Sequence, residues 1–181
     1  RACFQASLFF AFKKNVDVIG CPSIWRLRNK HMIHKLLCDK KIVLASASPR
    51  REALLRMLEL KPLIIPARVD EPVTGEKPYL QAMRNARSKA CAIAEKMDPE
   101  TLVIGADTVV VLEGAILGKP ANSRQAVEYL NTLSGKTHKV YTGLCLCWRK
   151  SCVTRYERSL VEFAPLSEAE IQAYVETKEP L

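Results

Sequence analysis

The sequence predicts an α/β domain, from three observations. Short runs of β-formers alternate with segments whose apolar residues recur at helical spacing. The length of 181 residues suits one domain, with enough chain to bury a core. No internal repeat or low-complexity tract competes with that reading.

Residues 1–40 are expected to be a basic extension, with eight Lys/Arg against two Asp/Glu, where the rest of the chain has twenty against seventeen. The net charge of +9 therefore sits mainly in this segment, and the domain itself shows no broad nucleic-acid footprint. The apolar run CFQASLFFAF followed by Lys13 and Lys14 reads either as a targeting segment or as a poorly ordered extension. Without a cleavage-site pattern or a sustained amphipathic repeat, the second is the expectation. Residues 29–40 suit a short helix leading into the domain. The start at Arg1 and the stop just after a helical pattern are expected to be the edges of a fragment.

From residue 41 the elements follow in order. Lys41–Ala45 reads as a buried strand. Pro49–Leu60 reads as a helix with Ala53, Leu54, Met57 and Leu58 on its packed face. A second strand-like run, LIIPARVD, ends in Asp70 and Glu71. Pro78–Met97 carries a strong helical stripe through Tyr79, Ala82, Ala86, Ala90 and Ile93. TLVIGADTVVVLEGAILGKP reads as two strands joined at Glu113-Gly114, the first interrupted by Gly105-Ala106-Asp107. Ser123–Leu133 is a helix closed by Gly135. HKVYTGLCLCWRK and CVTRYERSLVEFAPL read as paired strands, and Ser167 to Glu170 form a capping box opening a last helix.

Seven cysteines without a CxxC pair, and only three histidines, argue against a disulfide framework and a structural zinc site. Reduced, cytoplasmic conditions are the expectation. No apolar run approaches the roughly 20 residues a membrane span needs.

The chemistry concentrates at a few positions. Ser48 is a candidate N-cap and Pro49 a candidate first helical residue, so the helix would present free N–H groups and its positive dipole end there. Arg50 and Arg51 add forks suited to phosphate oxygens, and the Ser46 and Ser48 hydroxyls can donate to the same anion. A plain N-cap followed by two solvated arginines fits that stretch equally well. Asp107 interrupts β-formers, where a carboxylate is costly unless it is paired or binds a cation. It is a candidate metal ligand or general base, or else an Asp satisfying a bulge. Lys89 among small alanines, Lys119 between Gly118 and Pro120, and Asp70-Glu71 could complete a site for a polyphosphate and Mg²⁺. SGKT at 134–137 lacks the first glycine and the preceding strand of a P-loop, and His138 reads as a packed residue.

LASASPRREALL, VIGADTVV, LGKP, LNTLSGKTHKVYTG and YVETKEPL resemble, in order and spacing, the blocks of the Maf/septum-formation-inhibitor family, also found as a domain of acetylserotonin O-methyltransferase-like proteins. The resemblance covers residues 41–181. It implies an α/β fold of two lobes around a central mixed sheet, related to the inosine-triphosphate pyrophosphatases. It also implies a nucleoside-triphosphate pyrophosphatase that uses Mg²⁺ or Mn²⁺ and has a homodimer among its possible assemblies. Asp107 would then activate water, with Glu71 helping it hold the metal. Ser46, Arg50, Arg51, Lys89 and Lys119 would line the phosphate site, and Arg50 and Thr108 would bear on substrate choice. Ser-Pro-Arg-Arg resembles the branch acting on dTTP and UTP, whereas the 7-methyl-GTP branch has a bulky aromatic in place of the first arginine. The family pattern continues beyond residue 181 with a segment that helps recognise the base, so the domain is expected to be truncated at its C-terminus. A nucleotide-binding module without turnover, and a nucleic-acid binder acting through residues 1–40, are the alternatives.

Overall fold

The computed structural model describes residues 32–72 and 74–178. The apolar run near the start, most of the basic extension and Glu179-Pro180-Leu181 lie outside the described residues. The elements are β1 Ile42–Leu44, α1 Pro49–Met57, β2 Leu63–Ile64, α2 Pro78–Ala94, β3 Leu102–Leu112, β4 Ala115–Leu117, α3 Ser123–Leu133, β5 Thr137–Trp148, β6 Ser151–Glu162 and α4 Glu168–Glu176. Residues 32–37 add a helical stretch before β1. The strand order is β2-β1-β3-β5-β6, with β4 paired to β3. β1 runs parallel to both β2 and β3, and β4 is antiparallel to β3, so the sheet is mixed. Alternating strands and helices give the α/β class expected from the sequence.

The chain divides into two compact units, and β3, β5 and β6 each run through both. The larger described unit comprises residues 32–107 and 142–157. Its central strand β1 is covered on both faces, as a parallel strand requires. Val43 and Ala45 pack with Ala86, Ala90, Ile93 and Val103, while Ile42 and Leu44 pack with Leu60, Leu102 and Ile104. α2 lies unusually close to the sheet. A Cβ on Gly105 of β3 would come within 2.8 Å of both the Ala90 nitrogen and its Cβ, and one on Gly143 of β5 would lie 2.7 Å from the Met83 nitrogen. Three fully buried alanines, Ala82, Ala86 and Ala90, complete this contact.

α1 is packed differently from the sequence expectation. Ala53, Leu54 and Met57 are exposed, whereas Leu55 and Leu58 pack toward Leu44 and Leu60. The apolar residues of this short helix spread over a broad arc into which Arg50 and Arg51 also fall, so spacing alone does not select a face. β2 is also shorter than LIIPARVD suggests, ending before Pro66, which cannot donate to a ladder.

The other unit comprises residues 108–141 and 158–178 among those described. Val110 and Leu112 of β3 pack with Ala126, Leu130 and Leu133 of α3 and with Ile171 and Val175 of α4. Asn122 caps α3 by accepting from the Gln125 N–H at 2.9 Å. Ser167 and Glu170 form the expected reciprocal capping box of α4. His138 is 2% exposed and stacks edge-on against Phe163, as a packed residue should. Neither ring nitrogen has a well-formed hydrogen bond among the described residues. Burial, only partly offset by the Lys136 backbone, lowers the pKa of His138 to about 4. The unfolded imidazole takes up its proton near 6.5, so the advantage of the neutral folded ring is whole above that pH and is lost as pH falls toward 4. We expect stability to drop by up to about 3 kcal/mol over this window, and His138→Leu to flatten that acid limb in urea titrations at pH 7 and 4.5.

One cysteine expectation is corrected. Cys147 and Cys152, which close the β5–β6 hairpin from its two strands, form a disulfide. Their spacing of five follows from a two-residue turn at Arg149-Lys150, both in the left-handed region, and belongs to no sequence motif. Among the described residues no helix is long and apolar enough to cross a membrane.

Candidate active site

Within the larger unit, four segments converge: the β1–α1 junction, the loop after β2, the buried face of α2 and the middle of β3. The junction begins where β1 ends. Ser48 occupies the N-cap position and Pro49 opens α1 as expected, but among the described residues the Ser48 side chain makes no cap bond. Instead the Ser48 N–H donates to Ser46 Oγ at 3.3 Å, curling the chain back on itself, and both serines are buried. Ser48 thus holds the N-cap place without capping through its side chain.

Arg51 crosses from α1 to β3. Its Nη1 donates to Ser46 Oγ at 2.9 Å and to the Ala106 carbonyl at 2.8 Å. Burial lowers its pKa, while the charges of Asp107 and Glu71 oppose that and Arg50 adds to it. The guanidinium keeps its charge, and it clamps the junction to the residue preceding Asp107. Arg50 stands beside it on the first turn of α1, half-buried.

β3 is not interrupted at Asp107, as the sequence suggests, but runs continuously through it. The carboxylate is tolerated because α2 supplies its partners. Lys89 Nζ lies 2.6 Å from Asp107 Oδ1, and Asn85 Nδ2 donates to Oδ2 at 3.1 Å. Lys89 also meets Glu71 Oε1 at 3.0 Å, so one ammonium bridges the two carboxylates. Gly105 makes the arrangement possible, since α2 reaches its distance from β3 only where no Cβ intervenes.

Two contributors escape the sequence reading. Asn85, 3% exposed, orients Asp107. Arg84 donates to the Pro72 carbonyl at 2.6 Å and to Thr74 Oγ1 at 2.8 Å, and pairs with Glu76 at 2.7 Å, holding the loop that carries Glu71. It also donates to Asn85 Oδ1 at 3.4 Å, which fixes the orientation of that amide. A signal for Asn85 existed: Gln81, Asn85 and Lys89 repeat every four residues and are all buried on α2. Such a polar row inside an alanine stripe is expensive unless it serves other groups.

Of the residues expected at the site, Ser46 and Arg51 are joined by a hydrogen bond, and Glu71 and Asp107 are paired through Lys89. The bond from Arg51 to the Ala106 carbonyl brings the first group to the residue before Asp107. Thr108 follows Asp107 on β3, half-buried, and Lys119 is exposed after β4; both belong to the other unit. Asp70 is exposed and its neighbour Glu71 half-buried.

Chemically, the site combines cationic forks and a helix N-terminus with two carboxylates held on one lysine. Carboxylate oxygens are the donors a hard divalent cation prefers, and one or two suffice when substrate phosphates supply the rest.

Comparison with known proteins agrees with this chemistry. The family model described as Maf-like protein matches residues 41–181. A protein of Bacillus cereus strain G9842 named dTTP/UTP pyrophosphatase is 46% identical over 143 residues, covering 78% of this chain and 74% of its own. Proteins of the same name from Bacillus anthracis and from Bacillus thuringiensis subsp. konkukian are 47% identical, with the same coverage.

Proposed function

The chain belongs to the Maf-like protein family, and on that premise we propose that it hydrolyses dTTP and UTP to the nucleoside monophosphate and pyrophosphate. The observation that carries the reading is the buried Asp107, held by Lys89 and Asn85 next to the α1 start that Arg51 clamps to β3, in a chain 46–47% identical to proteins named for this activity. The curated names are those of enzymes, which disfavours a binding module without turnover.

In this reading the first turn of α1, with Ser46, Arg50 and Arg51, receives the triphosphate. The clamp from Arg51 to Ser46 and Ala106 keeps the anion cradle and the catalytic strand in one register. Asp107 accepts a proton from the attacking water, and Asn85 and Lys89 hold its carboxylate in place for that transfer. Asp107 and Glu71 would hold Mg²⁺ or Mn²⁺, which when bound neutralises charge on the phosphates. Lys89, already on both carboxylates, would share them with the ion. Thr108 and Lys119 are assigned to the substrate by the motif match alone. A cytoplasmic setting and a homodimer complete the reading.

The test is pyrophosphate release from a panel of dTTP, UTP, dCTP, GTP and 7-methyl-GTP with Mg²⁺. We expect turnover of dTTP and UTP and at least about tenfold lower kcat/KM for the purine nucleotides, a difference of about 1.4 kcal/mol. Equal turnover across the panel, or none with any nucleotide, would overturn the proposal.

A further inference from the structure

A second cluster of reactive side chains lies elsewhere in the larger unit. Cys91 on α2 faces the β5–β6 hairpin, where its sulfur lies 3.6 Å from that of Cys152 and 3.9 Å from that of Cys147. Among the described residues these three alone bring at least three metal-ligating side chains within 4.8 Å of one another. Cys145, two residues before Cys147 on the same strand face, places a fourth sulfur 3.8 Å from Cys147. The nucleotide chemistry uses none of them.

We propose that, once the Cys147–Cys152 bond is reduced, Cys91, Cys147 and Cys152 form a thiolate site for a thiophilic d¹⁰ cation, Zn²⁺ or Cu⁺. Three observations carry this. The first is distance: zinc–sulfur bonds of about 2.3 Å set sulfurs around a tetrahedral ion about 3.8 Å apart. The two separations from Cys91 already match that spacing. The third edge is the disulfide itself, so the site is closed when oxidised and opens on reduction. The Cα atoms of Cys147 and Cys152, 4.1 Å apart, keep both side chains directed to the same side of the hairpin.

The second observation is access. Cys91, Cys147 and Cys152 line a cavity of about 440 Å³ in which water can complete the coordination of an ion. The third is charge. Three thiolates around Zn²⁺ leave one net negative charge, and the cavity walls carry three cationic side chains, Arg87, Arg149 and Lys150, against the two carboxylates of Glu95 and Asp98. Arg87 is anchored beside the sulfurs by a bond from Nη1 to the Cys152 carbonyl at 3.5 Å. Soft sulfur donors select such ions over Mg²⁺, so this site and the carboxylate pair would not compete for the same cation.

The chemistry balances in two steps. A dithiol reductant gives two electrons and two protons to the Cys147–Cys152 bond and becomes a disulfide. The three thiols then release their protons to solvent as the sulfur–metal bonds form.

The test titrates the full chain, phosphine-reduced and kept anaerobic, with Zn²⁺ and separately with Cu⁺ against a chromogenic chelator. We expect about one equivalent to be withdrawn from the chelator, together with a metal-dependent rise in melting temperature. The oxidised protein should show neither. Cys91→Ser and Cys152→Ser should weaken binding by more than the roughly 10–100-fold typical of losing a supporting partner, and Cys38→Ser, at an exposed cysteine, should leave it unchanged. Failure of the reduced chain to bind either ion overturns the proposal, as does equal binding by the oxidised chain or undiminished binding by Cys91→Ser. The melting shift needs no variant, so the test stands even if a serine substitution misfolds.

Discussion

Asp107→Asn is expected to reduce pyrophosphate release by about 10²- to 10⁴-fold, the range for losing a positioned general base, while the protein remains folded. The substitution keeps the shape of the side chain but changes what it offers its neighbours. Asp107 presents two acceptors, one to Lys89 and one to Asn85. An asparagine can satisfy only one donor with its oxygen, and its NH₂ group would then face the other. Lys89 takes the oxygen more favourably, because its ammonium has no acceptor character. Asn85 must then turn its amide, giving up the bond it accepts from Arg84. Lys89 keeps Glu71 as an ionic partner, so the cost in stability should stay near 1–3 kcal/mol, the scale of an imperfectly satisfied buried group. Steady-state turnover and a thermal melt on the same preparation separate the two effects. Turnover within tenfold of the parent would remove Asp107 from the role of base.

The second large effect is expected at Gly105, from adding a single methyl group. Gly105→Ala places a Cβ 2.8 Å from the Ala90 nitrogen and its Cβ, and closer still to the Ala86 carbonyl. Two of these three atoms are backbone, so no flexible side chain can move aside. α2 must lift from β3 or β3 must bend, at the upper end of the ~1–3 kcal/mol typical of overpacking. Because α2 also rests on Gly143, the helix cannot tilt away at one end without strain at the other. Displacing it also withdraws Lys89 and Asn85 from Asp107, so kcat should fall together with stability. Urea unfolding followed by circular dichroism measures the first, and pyrophosphate release at a temperature where the variant is folded measures the second. An unchanged urea midpoint would mean that the close approach of α2 contributes nothing to the fold.

The legible parts of the sequence were those whose signal is local. Asp107 stood out because a carboxylate among β-formers needs an explanation. The capping box at Ser167 and the α2 stripe rest on spacings within one element, and both formed. What escaped depended on contacts between distant segments. β3 read as broken at Asp107 because its compensating partners stand 18 and 22 residues earlier, on another element. Asn85 passed for an ordinary helix residue until burial placed it beside Lys89. The packed face of α1 could not be chosen, because Leu54, Leu55, Met57 and Leu58 spread over a broad arc into which Arg50 and Arg51 also fall. The Cys147–Cys152 pair was hidden for the same kind of reason, since only the hairpin turn brings those positions face to face.

The polar row on α2 also bears on how this segment can vary. Gln81, Asn85 and Lys89 share the buried face only because they are counted in fours along a helix of 3.6 residues per turn. One inserted residue between Ala82 and Lys89 would rotate everything beyond it by about 100°. The lysine would swing away from Asp107, and a bulkier side chain would be driven onto Gly105. Outward positions such as the exposed Ser88 can change identity freely, but the count of residues between Gln81 and Lys89 cannot. In this part of the chain, length is under stricter control than composition.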